Sequence, residues 1–252
     1  MFLKAFCIII SSISCFLCVK PPPPSKDVSE KKGDKVKREG WVANLTIYQF
    51  PIGLSAASAI ESLIYILLMI RGDLLLPNTP EIMQLREVKA WHLAATALCL
   101  FGLFLRRWSF IALDKFFTYQ LTIRPGHMLV KNGPYKYIRH PSYTGVLFNL
   151  VGFYSLVLND GLFDVFAVMF TRTLRSLLGN QLKMVALSSI ISIPRSLLGI
   201  GCGIWIALAI DFVIFSIMEV RVKNEEAMLK EHFDQEWDQY ASKRWIYVPL
   251  VY

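Results

Sequence analysis

Charge is scarce in this chain: only 18% of its 252 residues are Asp, Glu, Lys or Arg, against 54% hydrophobic residues and a mean hydropathy of +0.45. A soluble globular domain carries about 25% charge, so an ordinary soluble domain is excluded and a membrane protein is expected. Cysteine is sparse as well. Cys7, Cys15, Cys18, Cys99 and Cys202 all lie in apolar stretches, with one isolated Cys-x-x-Cys and no histidine beside it. That pattern supports neither a disulfide framework nor a zinc site, and no metal is expected. A G-x-G-x-x-G stretch is missing too, which removes the usual dinucleotide fingerprint.

Long apolar runs fill the space that charge leaves. Residues 5–19 form a short one, read as a brief first span or a signal-like segment. The Pro-rich and Lys-rich stretch that follows, to residue 40, cannot bury a core and reads as a flexible basic linker. Further runs at about 44–70, 90–105, 144–159 and 203–219 each approach the length a helix needs to cross roughly 30 Å of hydrocarbon. The expected fold is therefore all-α, a polytopic transmembrane helix bundle. Its divisions are 1–40, transmembrane helices over 41–119, a connector and span over 120–160, an atypical insert over 161–202, and a last span with a C-terminal helix over 203–252.

The basic residues are unevenly shared among the loops. Lys20–Arg38 holds seven Lys or Arg, Arg106–Arg139 holds seven, and Arg71–Lys89 holds three. Counted in order, the two rich loops fall on one side, which the positive-inside rule makes cytosolic. The net charge of +8 thus serves orientation and the anionic bilayer surface, and nucleic acid is not expected as a partner.

Two polar blocks then stand out. "QLTIRPGHMLVKNGPYKYIRHPSY", residues 120–143, is dense in turn signals at Pro125-Gly126, Asn132-Gly133-Pro134 and His140-Pro141. Pro141 suits the first turn of the next helix, where its missing amide would be unpaired anyway. An ordered connector at the membrane surface is expected. The second block, "EVRVKNEEAMLKEHFDQEWDQY", residues 219–240, follows the last run. Arg221 and Glu225 are four apart and share a helix face, with Met228, Leu229 and Phe233 continuing a stripe. The two blocks together would form a cytosolic pocket between the connector and a C-terminal amphipathic helix.

In this order and spacing the blocks resemble the isoprenylcysteine carboxyl methyltransferases, membrane enzymes that use S-adenosylmethionine to methylate the C-terminal carboxylate of prenylated proteins. The resemblance implies cofactor-binding roles for Gln120, His127, Met128, Leu129, Val130, Tyr135, His140, Pro141, Ser142, Tyr143 and Glu225. It implies a catalytic, substrate-binding role for Arg221. It also implies S-adenosylmethionine as cofactor, a prenylated C-terminal cysteine and the lipid bilayer as partners, and an endoplasmic reticulum membrane location with the active site facing the cytosol.

"RHPSYTG" alone is less specific, since phospholipid methyltransferases and some sterol reductases carry similar stretches. A lipid amine methyltransferase would need a base to deprotonate an ammonium and has less use for Arg221 as a carboxylate clamp. A sterol-reductase-like enzyme would need a nicotinamide site. The segment 161–202 departs from the family, which joins its spans there by a short loop. It carries neither polar block and is expected to be dispensable for chemistry. One full extra span within it would move Arg221 away from the connector. Asp211, an ionisable residue inside the last run, is expected to face the bundle interior or a cavity.

Overall fold

The structure is a computed structural model that describes residues 2–20, 87–117, 126–159 and 203–248, with isolated positions between 53 and 67 and at 170 and 173. Its regular elements are helices: α1 (Phe2–Val19), α2 (Ala90–Leu113), α3 (Pro141–Leu158), α4 (Gly203–Phe233) and α5 (Gln235–Ala241). Short 3-10 turns lie at Asp114–Phe116 and Gly133–Lys136. No strand forms among the described residues, and one isolated parallel bridge joins Ile138 to Trp245.

The expected runs at 90–105 and 144–159 correspond to α2 and α3. Together with the turn that follows it, α2 extends to Phe116, and both helices are long and apolar enough to cross a membrane. At 18 residues, α3 is about 27 Å long, close to the hydrocarbon thickness. It begins at Pro141, where the fixed ring supplies a helical φ and loses no hydrogen bond. The expected linker, nearly all of the run at 44–70 and nearly all of the insert lie outside the described residues.

The expected C-terminal amphipathic helix is not a separate element. α4 runs without a break for 31 residues, from the apolar Gly203 end through the charged block to Phe233. It stops at Asp234, whose φ of 44° lies in the left-handed region. Aspartate tolerates that region better than most residues because its short polar side chain can bond locally.

The packing of α2 on α3 has a simple steric cause. A Cβ at Gly102 would sit 2.4 Å from the carbonyl oxygen of Gly145, one at Gly145 would sit 2.6 Å from that of Gly102, and one at Gly152 would sit 2.4 Å from that of Ala95. All three are closer than a real Cβ can approach backbone, so the glycines let the two helices touch main chain to main chain. Between Gly145 and Gly152 lies Asn149, fully buried. Its amide donates to the Cys99 carbonyl and to the Ser14 hydroxyl, each at 2.8 Å. The Cys99 thiol donates back to the Asn149 carbonyl at 3.0 Å. One polar node thereby ties α1, α2 and α3, where an unpaired amide would be costly. Around it, Cys15, Leu150, Phe153, Tyr154, Val157 and Ala207 form the apolar core that brings in α4.

Gly102→Ala should therefore separate α2 from α3 and cost on the order of 1–3 kcal/mol, as overpacking does. Gly126→Ala is a useful contrast, since no atom lies within 4 Å of its added Cβ and only the φ of 71° is strained. Thermal unfolding in detergent should rank Gly102→Ala as the more destabilised, and equal losses would contradict this packing.

Candidate functional site

The site is built where the connector, the start of α3 and the charged half of α4 meet. The connector is held by main-chain bonds. The amide of Arg139 donates to the Trp245 carbonyl at 2.8 Å, that of His140 to the Ile246 carbonyl at 3.1 Å, and that of Trp245 to the Tyr137 carbonyl at 3.2 Å. Side chains reinforce this pairing. The Tyr135 carbonyl accepts from the Tyr240 hydroxyl at 3.1 Å and from Arg244 Nε at 3.0 Å. The Thr144 hydroxyl donates to the Tyr247 carbonyl at 2.8 Å. Turn residues make the connector polar and bent, and these bonds fix where its side chains point.

His140, only 4% exposed, meets the second block directly. Its Nε2 lies 3.0 Å from Glu226 Oε1, and Arg139 Nη1 reaches the same oxygen at 2.9 Å. Its Nδ1 is 3.9 Å from Glu225 Oε1. One helical step into α3, the Tyr143 hydroxyl donates to Glu225 Oε2 at 2.9 Å and accepts from Arg221 Nε at 2.8 Å. The four-residue spacing of Arg221 and Glu225 thus brings both to one hydroxyl. Charged hydrogen bonds of this kind are shorter and stronger than neutral ones, so the rotamers around the hydroxyl are well defined.

Behind this row lies a cavity of about 290 Å³, near the lower end of the roughly 300–1,000 Å³ of small-molecule sites. His127, Met128, Leu129, Val130, Tyr135, His140, Ser142, Tyr143, Arg221 and Glu225 all line it. The expected residues from the two blocks therefore converge on one space. Pro141 is not among the lining residues, and its place at the head of α3 gives it a positioning role. Gln120 lies outside the described residues. Because Arg221 touches Tyr143, the charged half of α4 and the connector stand at the same end of the bundle.

Several lining groups were not among the expected residues. Arg106 comes from α2, Phe116 and Phe117 from the turn after it, and Trp237 and Tyr240 from α5. Glu226, which meets His140 and Arg139 without lining the cavity, was not among the expected residues either. The sequence signal for it was the second carboxylate of "NEEAM", which a helix carries round toward His140. The aromatic walls and guanidinium groups suit a ligand with a flat ring, a cationic centre and an anionic end.

Burial raises the Tyr135 phenol well above its ordinary range, and the nearby Glu225 carboxylate adds to this. Tyr135 therefore faces the cavity as a neutral phenol. The Tyr240 phenol is pushed up to about 12, chiefly by burial. At Glu226 burial pulls the other way from the outcome. It would raise the carboxyl, but the hydrogen bond to His140 and the charges of His140 and Arg139 outweigh it and hold the group below 4.5.

Residues 95–182, about a third of the chain, match the sequence model of the isoprenylcysteine carboxyl methyltransferase family. That match and the two apolar helices together point to a membrane protein. The matched region takes in the whole stretch 120–160 and runs as far as 182, so part of the segment expected to be atypical lies within it. Residues 203–248 fall outside the match and join the site through the contacts described above. The chain is also 30% identical over 66 residues to the uncharacterized protein YpbQ of Bacillus subtilis (strain 168), a stretch covering 26% of this chain and 39% of that protein. No solved structure matches the chain.

The depressed Glu226 carboxyl has a pH signature. A group held below its ordinary value contributes stability that is present above about 4.5 and is lost as pH falls through its lower folded value. Glu226→Gln should lower Tm near neutral pH by about 2–4 °C, the shift that ~1 kcal/mol gives at this size. It should also flatten the fall in Tm below about pH 4.5. Parallel Tm profiles for the two proteins would contradict the His140–Glu226–Arg139 cluster.

Proposed function

We propose that the protein transfers a methyl group from S-adenosylmethionine to the C-terminal carboxylate of a prenylated cysteine, at the cytosolic face of the endoplasmic reticulum membrane. The observation that carries this reading is the convergence of both polar blocks on one cavity: His127–Val130, Tyr135, His140, Ser142 and Tyr143 from one, Arg221 and Glu225 from the other. The family match over residues 95–182 supports it independently.

Fit to the cofactor rests on the lining groups. Tyr135 and Tyr143 offer ring faces that attract a sulfonium, and Glu225 offers an acceptor for an ammonium or a hydroxyl. S-adenosylmethionine, when bound, supplies an electrophilic methyl carbon on positively charged sulfur. The acceptor α-carboxylate has a pKa of roughly 3.5 and is ionised at neutral pH. No general base is needed: an oxygen–methyl bond forms, the sulfur–methyl bond breaks with its electron pair left on sulfur, and no proton moves. The protein's work is alignment and the exclusion of water.

Arg221 is the residue that orients the acceptor. Its Nε donates to the Tyr143 hydroxyl, which fixes the guanidinium at the cavity wall, where a planar fork suits a carboxylate edge. Glu225, on the other side of the same hydroxyl, serves the cofactor. The membrane setting fits this division, since a prenyl tail stays in hydrocarbon while its carboxylate reaches the surface.

The test is methyl transfer from labelled S-adenosylmethionine to a farnesylated cysteine analogue, with phosphatidylethanolamine run beside it. Labelling of the prenylcysteine alone is expected, and labelling of the phospholipid alone would overturn the reading. Arg221→Lys should cut turnover by roughly tenfold or more, because a point charge loses the fork, while cofactor affinity stays near normal. Glu225→Gln should weaken the cofactor first. Full turnover in Arg221→Lys, or equal loss of cofactor affinity in both variants, would refute the division of roles.

A further inference from the structure

Among the described residues, three guanidinium groups line the cavity: Arg106, Arg139 and Arg221. Arg139 lies 2.9 Å from Glu226, and Arg221 is held by Tyr143 beside Glu225. Arg106 differs from both. It comes from α2, a helix that carries neither polar block, and it is 8% exposed. We propose that Arg106 binds the α-amino-acid carboxylate at the methionyl end of the cofactor, leaving Arg221 for the acceptor carboxylate. The inference rests on the methyltransferase reading and adds a ligand contact to it.

The geometry of α3 separates the two arginines. Arg106 Nη1 donates to the Ser142 hydroxyl at 3.0 Å, while Arg221 Nε donates to the Tyr143 hydroxyl at 2.8 Å. Successive helical residues point about 100° apart, so Arg106 from α2 and Arg221 from α4 address different flanks of the same first turn. Arg106 is also fixed in place. Its guanidinium carbon lies 4.8 Å from the centre of the Phe110 ring. Its backbone is pressed so closely on α3 that a Cβ at Gly145 would meet the Arg106 amide nitrogen at 2.8 Å. Those contacts hold the guanidinium at the cavity wall, where its planar fork suits a carboxylate.

The reaction chemistry calls for this second site. Two carboxylates enter, one on the acceptor and one on the cofactor's amino-acid end, and only the first must lie in line with the sulfur–methyl bond. A single arginine serving both would draw two anions together and misalign the acceptor. Separate arginines on separate helices keep them apart. Arg106 is accordingly a binding residue, and Ser142 positions it.

The experiment compares binding of S-adenosylhomocysteine with that of its carboxamide counterpart, measured calorimetrically on the purified full chain in detergent. Wild-type protein should prefer the carboxylate form by roughly tenfold or more. Arg106→Gln should bring that preference close to unity by weakening S-adenosylhomocysteine, with little change for the carboxamide, while Arg221→Gln keeps it. If the glutamine variant does not fold, Arg106→Lys retains the charge and should reduce the preference severalfold through loss of the fork. Wild-type protein that binds neither compound overturns the methyltransferase reading together with this inference. Wild-type binding with an undiminished preference in the Arg106 variants overturns this inference alone.

Discussion

The site depends on the pairing of residues 137–140 with residues 245–246. A connector of turns has no regular hydrogen-bonding scheme of its own, so its polar main chain must find partners or stay wet. Here the amides of Arg139 and His140 find the Trp245 and Ile246 carbonyls, and the Tyr137 carbonyl receives the Trp245 amide. With the main chain pinned, His140 is brought to Glu226 and Tyr143 to Glu225 and Arg221. Two segments about a hundred residues apart thus become opposite walls of one cavity.

A second constraint stands beneath the first. The direction in which α3 presents Ser142 and Tyr143 is set by its contact with α2, and that contact is main chain against main chain at Gly102, Gly145 and Gly152. Where lipid gives no hydrophobic drive for helices to associate, close approach and buried hydrogen bonds decide the packing. Asn149 supplies those bonds and carries the register to α1 through Ser14. The position of Arg106 at the cavity wall follows from this register.

The sequence made the helical class, the start of α3 and the convergence of the two blocks legible for identifiable reasons. Apolar length marks α2 and α3, Pro141 marks a helix start, and the spacing of Arg221 and Glu225 places them on one face. Other features were harder to read. Nothing local marks Phe233 rather than residue 219 as the end of α4, because the charged block has as much helix propensity as the apolar one and the break comes only at Asp234. Arg106 reads as one of several basic residues flanking a span, and its turn toward the cavity is a tertiary fact set by glycine contacts on α3. Glu226 likewise gains meaning only once His140 stands 3.0 Å away. Gly145, Asn149 and Gly152 stand at helical spacing on α3, a signal in the sequence that becomes decisive only with Gly102 of the partner helix known.

The central claim, that the C-terminal segment holds the connector in place and so forms the cavity, is tested most directly by amide hydrogen exchange at Arg139 and His140. In the full chain both amides should exchange slowly, because each donates to the segment at Trp245–Ile246. In a chain ending at Ser242 both should exchange at rates near those of an open loop, while amides in the middle of α3 stay protected. Rapid exchange at Arg139 and His140 in the intact protein, or unchanged protection after truncation, would contradict the account.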